Sequence, residues 1–271
     1  PDVLITSIRT LTAKGSGFYT WQGQTCRELD RAMVLASDSV ISNSKAVLED
    51  YAEWTGIRHE KMKVVYNGID SQEFDSVTPD EVQALRKSLD LSDSTPLIVT
   101  VGRLSQEKDQ ATFCRAMGRL QKSTANIRAV LVGEGNTKSS LRTEFKELED
   151  SDTLQFVGNR KDVPVWMRAA DVVVLSSEIE GLPNVLIEAA WAKTPVVTTA
   201  CGGGEEVVED GVTGYVVAVG DDAAMARSVE KLLQEPAKAK AMGEAARLRA
   251  QTLFSPEKMV NDTVAQYGGC N

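Results

Sequence analysis

The chain has 271 residues, 42% apolar and 25% charged, with a formal net charge of −9. That length holds one large or two smaller domains with a core that needs no covalent staple, and the acidic balance argues against a general nucleic-acid surface. One histidine (His59) and four scattered cysteines (Cys26, Cys114, Cys201, Cys270) argue against a zinc site or a serine triad and for a reduced, cytoplasmic compartment; no signal peptide is recognisable, and no apolar run approaches the roughly 20 residues that span a bilayer.

VLITSIR (3–9) reads as a buried-type strand with no lead-in, as if the chain began inside a domain. Gly15–Gly23 is a loop carrying Phe18, Tyr19 and Trp21, and 24–36 is a helix whose apolar period runs through Leu29, Met33 and Ala36. A strand at 39–44 leads to Ser44, which caps a helix over 45–54, and 63–70 is a strand ending in an Asn-Gly turn. The polar, proline-bearing SQEFDSVTPDE (71–81) reads as an interdomain linker. Strands then fall at 96–102, 127–133, 153–158, 172–177, 194–199 and 214–219, with helices at 107–122, 138–149, 163–169 and 184–193 between them. Helices at 223–233, 236–252 and 255–267 close the chain. This alternation predicts an α/β fold with right-handed βαβ units and a doubly wound parallel sheet.

Ligands of such sheets bind at the carboxyl ends of the strands, so the loops there carry the functional signal. EGLPNVLIE places Glu180 at one strand's exit and Glu188 on the first turns of the next helix. Carboxylates there accept from hydroxyls, while a helix amino end offers amides to an anion, a combination suited to a sugar phosphate. Glu is also common early in helices as a dipole partner. VGRLSQEKD sets Gly102, Arg103 and Lys108 in one loop, where two cations can converge on a diphosphate or simply be solvated. LVGEGN, with Gly133, is a tight turn but no dinucleotide fingerprint. GNRKDVP, with Gly158, Asn159 and Arg160, can flank a base or serve as an ordinary turn and helix cap. In CGGGEEVVEDGVTG the glycine triplet lets the backbone approach a ligand or merely loosens a loop. Each loop alone is ambiguous; their shared edge is the stronger signal.

NGID (67–70), GRLSQEKD (102–109), GEG (133–135), SSEIEGLPNVLIEA (176–189), TPVVTTACGG (194–203) and EDGVTGYVV (209–217), in this order, resemble the retaining family-four glycosyltransferases of GT-B fold. The resemblance implies a GT-B type, Rossmann-like donor-binding domain over 76–253. It further implies a truncated tail of the acceptor-side domain over 1–75, a partial second α/β domain, and a crossover helix over 254–271. It implies that Arg103 and Lys108 hold the donor diphosphate, that Glu188 accepts from the ribose, and that Glu180 acts at the donor sugar as the catalytic residue. Leu182 and Asn184 would offer backbone N–H groups, with Val185 beside them. Pro183 stands where relatives often have glycine and has no N–H to give.

The expected partners are a UDP- or GDP-sugar and a glycan or lipid-linked acceptor, with no cofactor and no metal. Membrane contact is expected only peripherally, through the missing part of the first domain, at the cytoplasmic face. The chain is then expected to be a fragment, incomplete for turnover, since that first half and its acceptor-side catalytic residue, often a histidine, are absent; His59 matches no such position and reads as a surface residue. The alternative is a non-catalytic nucleotide-sugar-binding or interaction module. A dinucleotide oxidoreductase is disfavoured by the lack of G-x-G-x-x-G.

Overall fold

The computed structural model describes residues 3–9, 21–57 and 60–268. The loop through Phe18 and Tyr19, His59 and Cys270 lie outside the described residues.

The first segment runs β1 (Ile5–Ile8), α1 (Trp21–Ala36), β2 (Ser39–Ser42), α2 (Lys45–Thr55) and β3 (Met62–Val64), and its strands pair in parallel in the order β1-β2-β3. Ser44 caps α2 as its position predicts: its hydroxyl accepts from the Val47 N–H at 3.1 Å, and Gly56 ends the helix in the left-handed region. The apolar period expected of α1 lies on its outer side, for Leu29, Met33 and Ala36 are exposed while Val34 is buried.

The strand predicted at 63–70 stops at Val64. Beyond it the backbone turns to other partners, with the Ile69 N–H donating to the Phe254 carbonyl at 3.0 Å. Residues 71–81 are not an open linker but hold α3 (Gln72–Asp75) and the start of α4 (Pro79–Ser88). A capping box starts α4: the Glu81 carboxylate accepts from the Thr78 N–H at 2.8 Å and the Thr78 hydroxyl from the Glu81 N–H at 3.3 Å, with Pro79 in the first turn.

The second segment runs β4 (Leu97–Val101), α5 (Gln110–Leu120), β5 (Arg128–Val132), α6 (Lys138–Glu144), α7 (Lys146–Asp150), β6 (Leu154–Gly158), α8 (Val163–Ala169), β7 (Val172–Leu175), α9 (Asn184–Trp191), β8 (Val196–Thr199), α10 (Gly204–Val207), β9 (Gly214–Val217), α11 (Asp222–Gln234), α12 (Pro236–Leu253) and α13 (Pro256–Gly268). Its six strands are all parallel in the order β6-β5-β4-β7-β8-β9. The chain winds outward from β4 in one direction and from β7 in the other, so the topological switch point lies between those two strands.

Continuous apolar runs follow from burial on both faces. Ile98, Leu131, Val174 and Val197 pack with Phe113, Met117, Met225 and Val229 of α5 and α11. Their neighbours in sequence point the other way, Leu97, Val99 and Val130 onto Leu85 and Trp166, and Val173 and Val196 onto Leu186, Ile187 and Ala250. After α12 the chain crosses back to the small sheet, where the Ser39 hydroxyl lies 3.4 Å from Gln266 Oε1.

Candidate active site

Two loops, after β4 and after β7, close on each other over the switch point. The helix expected over 107–122 is broken: a short 3-10 turn, Gln106–Lys108, ends at Asp109, whose φ of 39° is left-handed and whose carboxylate caps α5 by accepting from the Thr112 N–H at 3.2 Å. The break frees Lys108 from α5 and turns it inward. The Glu178 N–H donates to the Glu107 carbonyl at 2.9 Å and the Ser176 hydroxyl to the Lys108 carbonyl at 3.0 Å, fastening one loop to the other. At their junction Lys108 Nζ donates to Glu180 Oε1 at 2.5 Å, and Ser177 Oγ reaches the same oxygen at 2.7 Å.

A third loop supports Glu180 from behind. Its N–H donates to the Cys201 carbonyl at 2.7 Å and its carbonyl accepts from the Gly203 N–H at 3.2 Å. A Cβ on Gly203 would stand 1.8 Å from the Gly181 carbonyl oxygen, so only glycine allows the two loops this approach. Gly133 plays the same part on the other side, where a Cβ would stand 1.9 Å from the Gly102 oxygen.

The loops wall a cleft of about 750 Å³ lined by Gly102, Arg103, Lys108, Glu180, Leu182, Asn184, Val185 and Glu188, all singled out in the sequence. Gly133, Gly158, Asn159 and Arg160 are not in its wall. Arg160 is exposed and turned onto its own neighbour, with Nε and Nη2 donating to the two Asp162 oxygens at 3.0 and 2.9 Å and its guanidinium 5.6 Å from the Trp166 ring centroid. Lys161, one residue on, lines the cleft instead. Glu73 of α3 also lines the cleft without having been singled out; it sits in what read as a linker, and its four-residue helix, with Phe74 the one buried residue, carries too little periodicity to show in the sequence.

Arg103 is exposed on the rim, 3.9 Å from Glu107. Asn184 accepts from Asn67 Nδ2 at 2.8 Å, tying the NGID turn to the amino end of α9. Glu188 is half-buried, and loss of solvent pushes its carboxyl above the ordinary carboxylate range, with the like charge of Glu73 adding to the effect.

A larger hollow, about 1060 Å³, lies at the amino ends of the strands beside α4, lined by Arg86, Arg168, Lys193 and Thr194 among others. No loop from the carboxyl edge lines it, so the smaller cleft, at the carboxyl edge, is the candidate site. The one D-x-D triplet, Asp150 to Asp152, leads into β6 at that same amino edge, away from the cleft. Among the described residues no cluster of His, Cys, Asp or Glu is placed to hold a metal ion, and no helix is long and apolar enough to cross a membrane.

The chain is 34% identical over 187 residues to the Vi polysaccharide biosynthesis protein VipC/TviE of Salmonella typhi, a match covering 68% of this chain and 31% of that protein. It is 28% identical over 229 residues to an N-acetylgalactosamine-N,N'-diacetylbacillosaminyl-diphospho-undecaprenol 4-alpha-N-acetylgalactosaminyltransferase of Campylobacter jejuni, covering 84% of this chain and 59% of that one. The chain thus spans about a third to three-fifths of the length of these curated relatives. Among solved structures, Anabaena Alr3699/HepE in complex with UDP superposes with a TM-score of 0.89 at 23% identity over 98% of this chain and 72% of that one, which shows the GT-B fold. The model for Glycosyltransferase Family 4 matches residues 9–73. The model for glycosyl transferases group 1 matches residues 81–249, more than half the chain and the whole of the cleft's β4, β7 and α9 walls, and the chain belongs to that family.

Proposed function

We propose that this chain supplies the donor side of a glycosyltransferase that moves a sugar from a UDP- or GDP-sugar to a glycan or lipid-linked acceptor with retention at the anomeric carbon. The observation that carries the reading is the cleft at the switch point, where Arg103 and Lys108 meet Glu180 and Glu188 across loops from opposite halves of the sheet.

In this reading the two cations hold the diphosphate and offset the charge that grows on it as the glycosidic bond breaks, Arg103 as a planar fork and Lys108 as a point charge. Their charge takes the place of a metal ion. Glu188 accepts from the ribose hydroxyls. Glu180 orients the sugar hydroxyls and stabilises positive charge at the anomeric carbon. The backbone N–H groups of Leu182 and Asn184 face sugar and phosphate, with Pro183 offering none and Val185 giving an apolar wall. Gly133, Gly158, Asn159 and Arg160 act from behind, by setting the loops, with Lys161 at the cleft in the place the sequence assigned to Arg160. The UDP held by HepE supports a nucleoside diphosphate ligand, and the undecaprenol-linked substrate named for the Campylobacter relative supports a lipid-linked acceptor.

Calorimetric titration of the chain with UDP and GDP tests the reading. The expected result is selective binding of one, weakened about tenfold or more in Lys108→Ala and in Glu188→Ala, as the loss of a hydrogen bond involving a charged group requires. Unchanged affinity in both variants overturns the site.

A further inference from the structure

Ser176 and Ser177 directly follow β7, and both are completely buried. Their hydroxyls serve the two halves of the Lys108–Glu180 junction separately. Ser176 Oγ holds the Lys108 main chain, whereas Ser177 Oγ holds the Glu180 carboxylate itself at 2.7 Å. Ser177 is in turn pinned, because the Thr199 hydroxyl donates to its carbonyl at 2.6 Å.

The Glu180 side chain is only 12% exposed, so water does little to stabilise its charge. It has two donors, the Lys108 ammonium and the Ser177 hydroxyl, both on Oε1. A diphosphate in the cleft is the stronger partner for Lys108, since it carries more charge and more acceptor oxygens than one carboxylate. When Lys108 turns to it, Glu180 loses its cation while still largely enclosed, and an uncompensated buried charge is costly.

We propose that Ser177 is the positioning residue that holds the Glu180 carboxylate in place and aimed into the cleft when the donor diphosphate draws Lys108 away. The inference rests on the donor-site reading above and adds a physical link to it: diphosphate and Glu180 compete for Lys108, and the Ser177 hydroxyl lowers the cost of the exchange. Ser177→Ala then weakens diphosphate binding without touching the ligand, and only while the Glu180 carboxylate is present.

The test is a double-mutant cycle read by calorimetry with UDP and GDP on the whole chain, using wild type, Ser177→Ala, Glu180→Ala and the double variant. The expected result is a Kd raised several-fold by Ser177→Ala in the wild-type background, since the hydrogen bond is already present in the free site and only its added worth once Lys108 leaves is read, and unchanged by it in the Glu180→Ala background. Ser176→Ala is the comparison: its hydroxyl does not reach the carboxylate, so its effect carries through to the Glu180→Ala background. A Ser177→Ala loss that persists without Glu180 reveals a merely structural serine and overturns the proposal, as does a Ser177→Ala affinity equal to wild type. No binding of either nucleotide by wild type overturns the donor site and this proposal together, a different result from the other two. Thermal unfolding checks that each variant folds; if Ser177→Ala does not, Ser177→Cys, with a weak thiol donor at the same place, carries the same comparison.

Discussion

Glu206 of α10 in the large sheet's segment caps α2 of the small one. Its Oε2 accepts from the Lys45 N–H and its Oε1 from the Ala46 N–H, each at 2.9 Å. The Tyr66 hydroxyl donates to the same carboxylate at 2.9 Å, and burial with this neighbouring charge raises that phenol's pKa far above its ordinary value. Arg249 of α12 fixes α10 from behind, donating to the carbonyls of Val207 and Glu206 at 3.0 and 2.8 Å. A negative group at the amino end of a helix satisfies orphan N–H groups and complements the helix dipole.

Glu206→Ala removes all three acceptor roles at once. The expected loss is about 2 kcal/mol, seen as a melting midpoint lower by several degrees. A melting midpoint equal to wild type shows the contact to be energetically idle.

The raised pKa of Glu188 gives stability a pH dependence of known sign. The native state holds this proton to higher pH than the unfolded chain, so stability from this group falls as pH rises from the ordinary carboxylate range through the raised folded value. Glu188→Gln removes that fall. Urea or thermal unfolding at neutral pH is expected to show the variant more stable than wild type, with the difference vanishing on acidification below the ordinary carboxylate range. A gain that is the same at both pH values contradicts the assignment. Stability gained there comes with nucleotide binding lost.

Gly203→Ala forces a methyl group to within 1.8 Å of the Gly181 oxygen unless the loop moves. The cost expected of overpacking is about 1–3 kcal/mol, and the displaced segment carries Glu180 and Leu182. Both the melting midpoint and the nucleotide affinity should drop. Retained affinity at a lowered midpoint would mean that the loop is not part of the binding surface.

Lys161 and Arg160 make a paired test of geometry over pattern. Arg160 is occupied by Asp162, whereas Lys161 lines the cleft. Lys161→Ala should weaken nucleoside diphosphate binding several-fold, most clearly at low salt, where a positive charge acts at longest range. Arg160→Ala should change it by less than about twofold, as expected of an exposed ion pair. The reverse ranking in a salt-series titration restores Arg160 to the site.

Much of the fold was legible because its signals are local. A strand buried on both faces needs an unbroken apolar run, and Leu97–Val101 and Val172–Leu175 supply one whatever lies beside them. The cleft residues of the glycine- and charge-bearing loops were legible for the same reason, since strand exits can be read from where the runs stop. The helices at 72–75 and 79–88 were not, because one buried residue each, Phe74 and Leu85, is too little periodicity to see, and α4 is held by packing on α8 far along the chain. The apolar stripe of α1 misled for the converse reason, as a period shows that a face exists and not which way it turns.

By itself the sequence determined the six strands of the large sheet and most of the helices between them, and which residue types gather at the carboxyl edge. Only the tertiary structure decided the pairings: that Lys108 closes on Glu180 across 72 residues, that Ser177 shares that carboxylate, and that Lys161 replaces Arg160 at the cleft. Element type follows from backbone and burial preferences within a few residues, whereas a side chain's partner is set by strand order, and strand order places β4 beside β7 although three helices and two strands of chain lie between α5 and that neighbour.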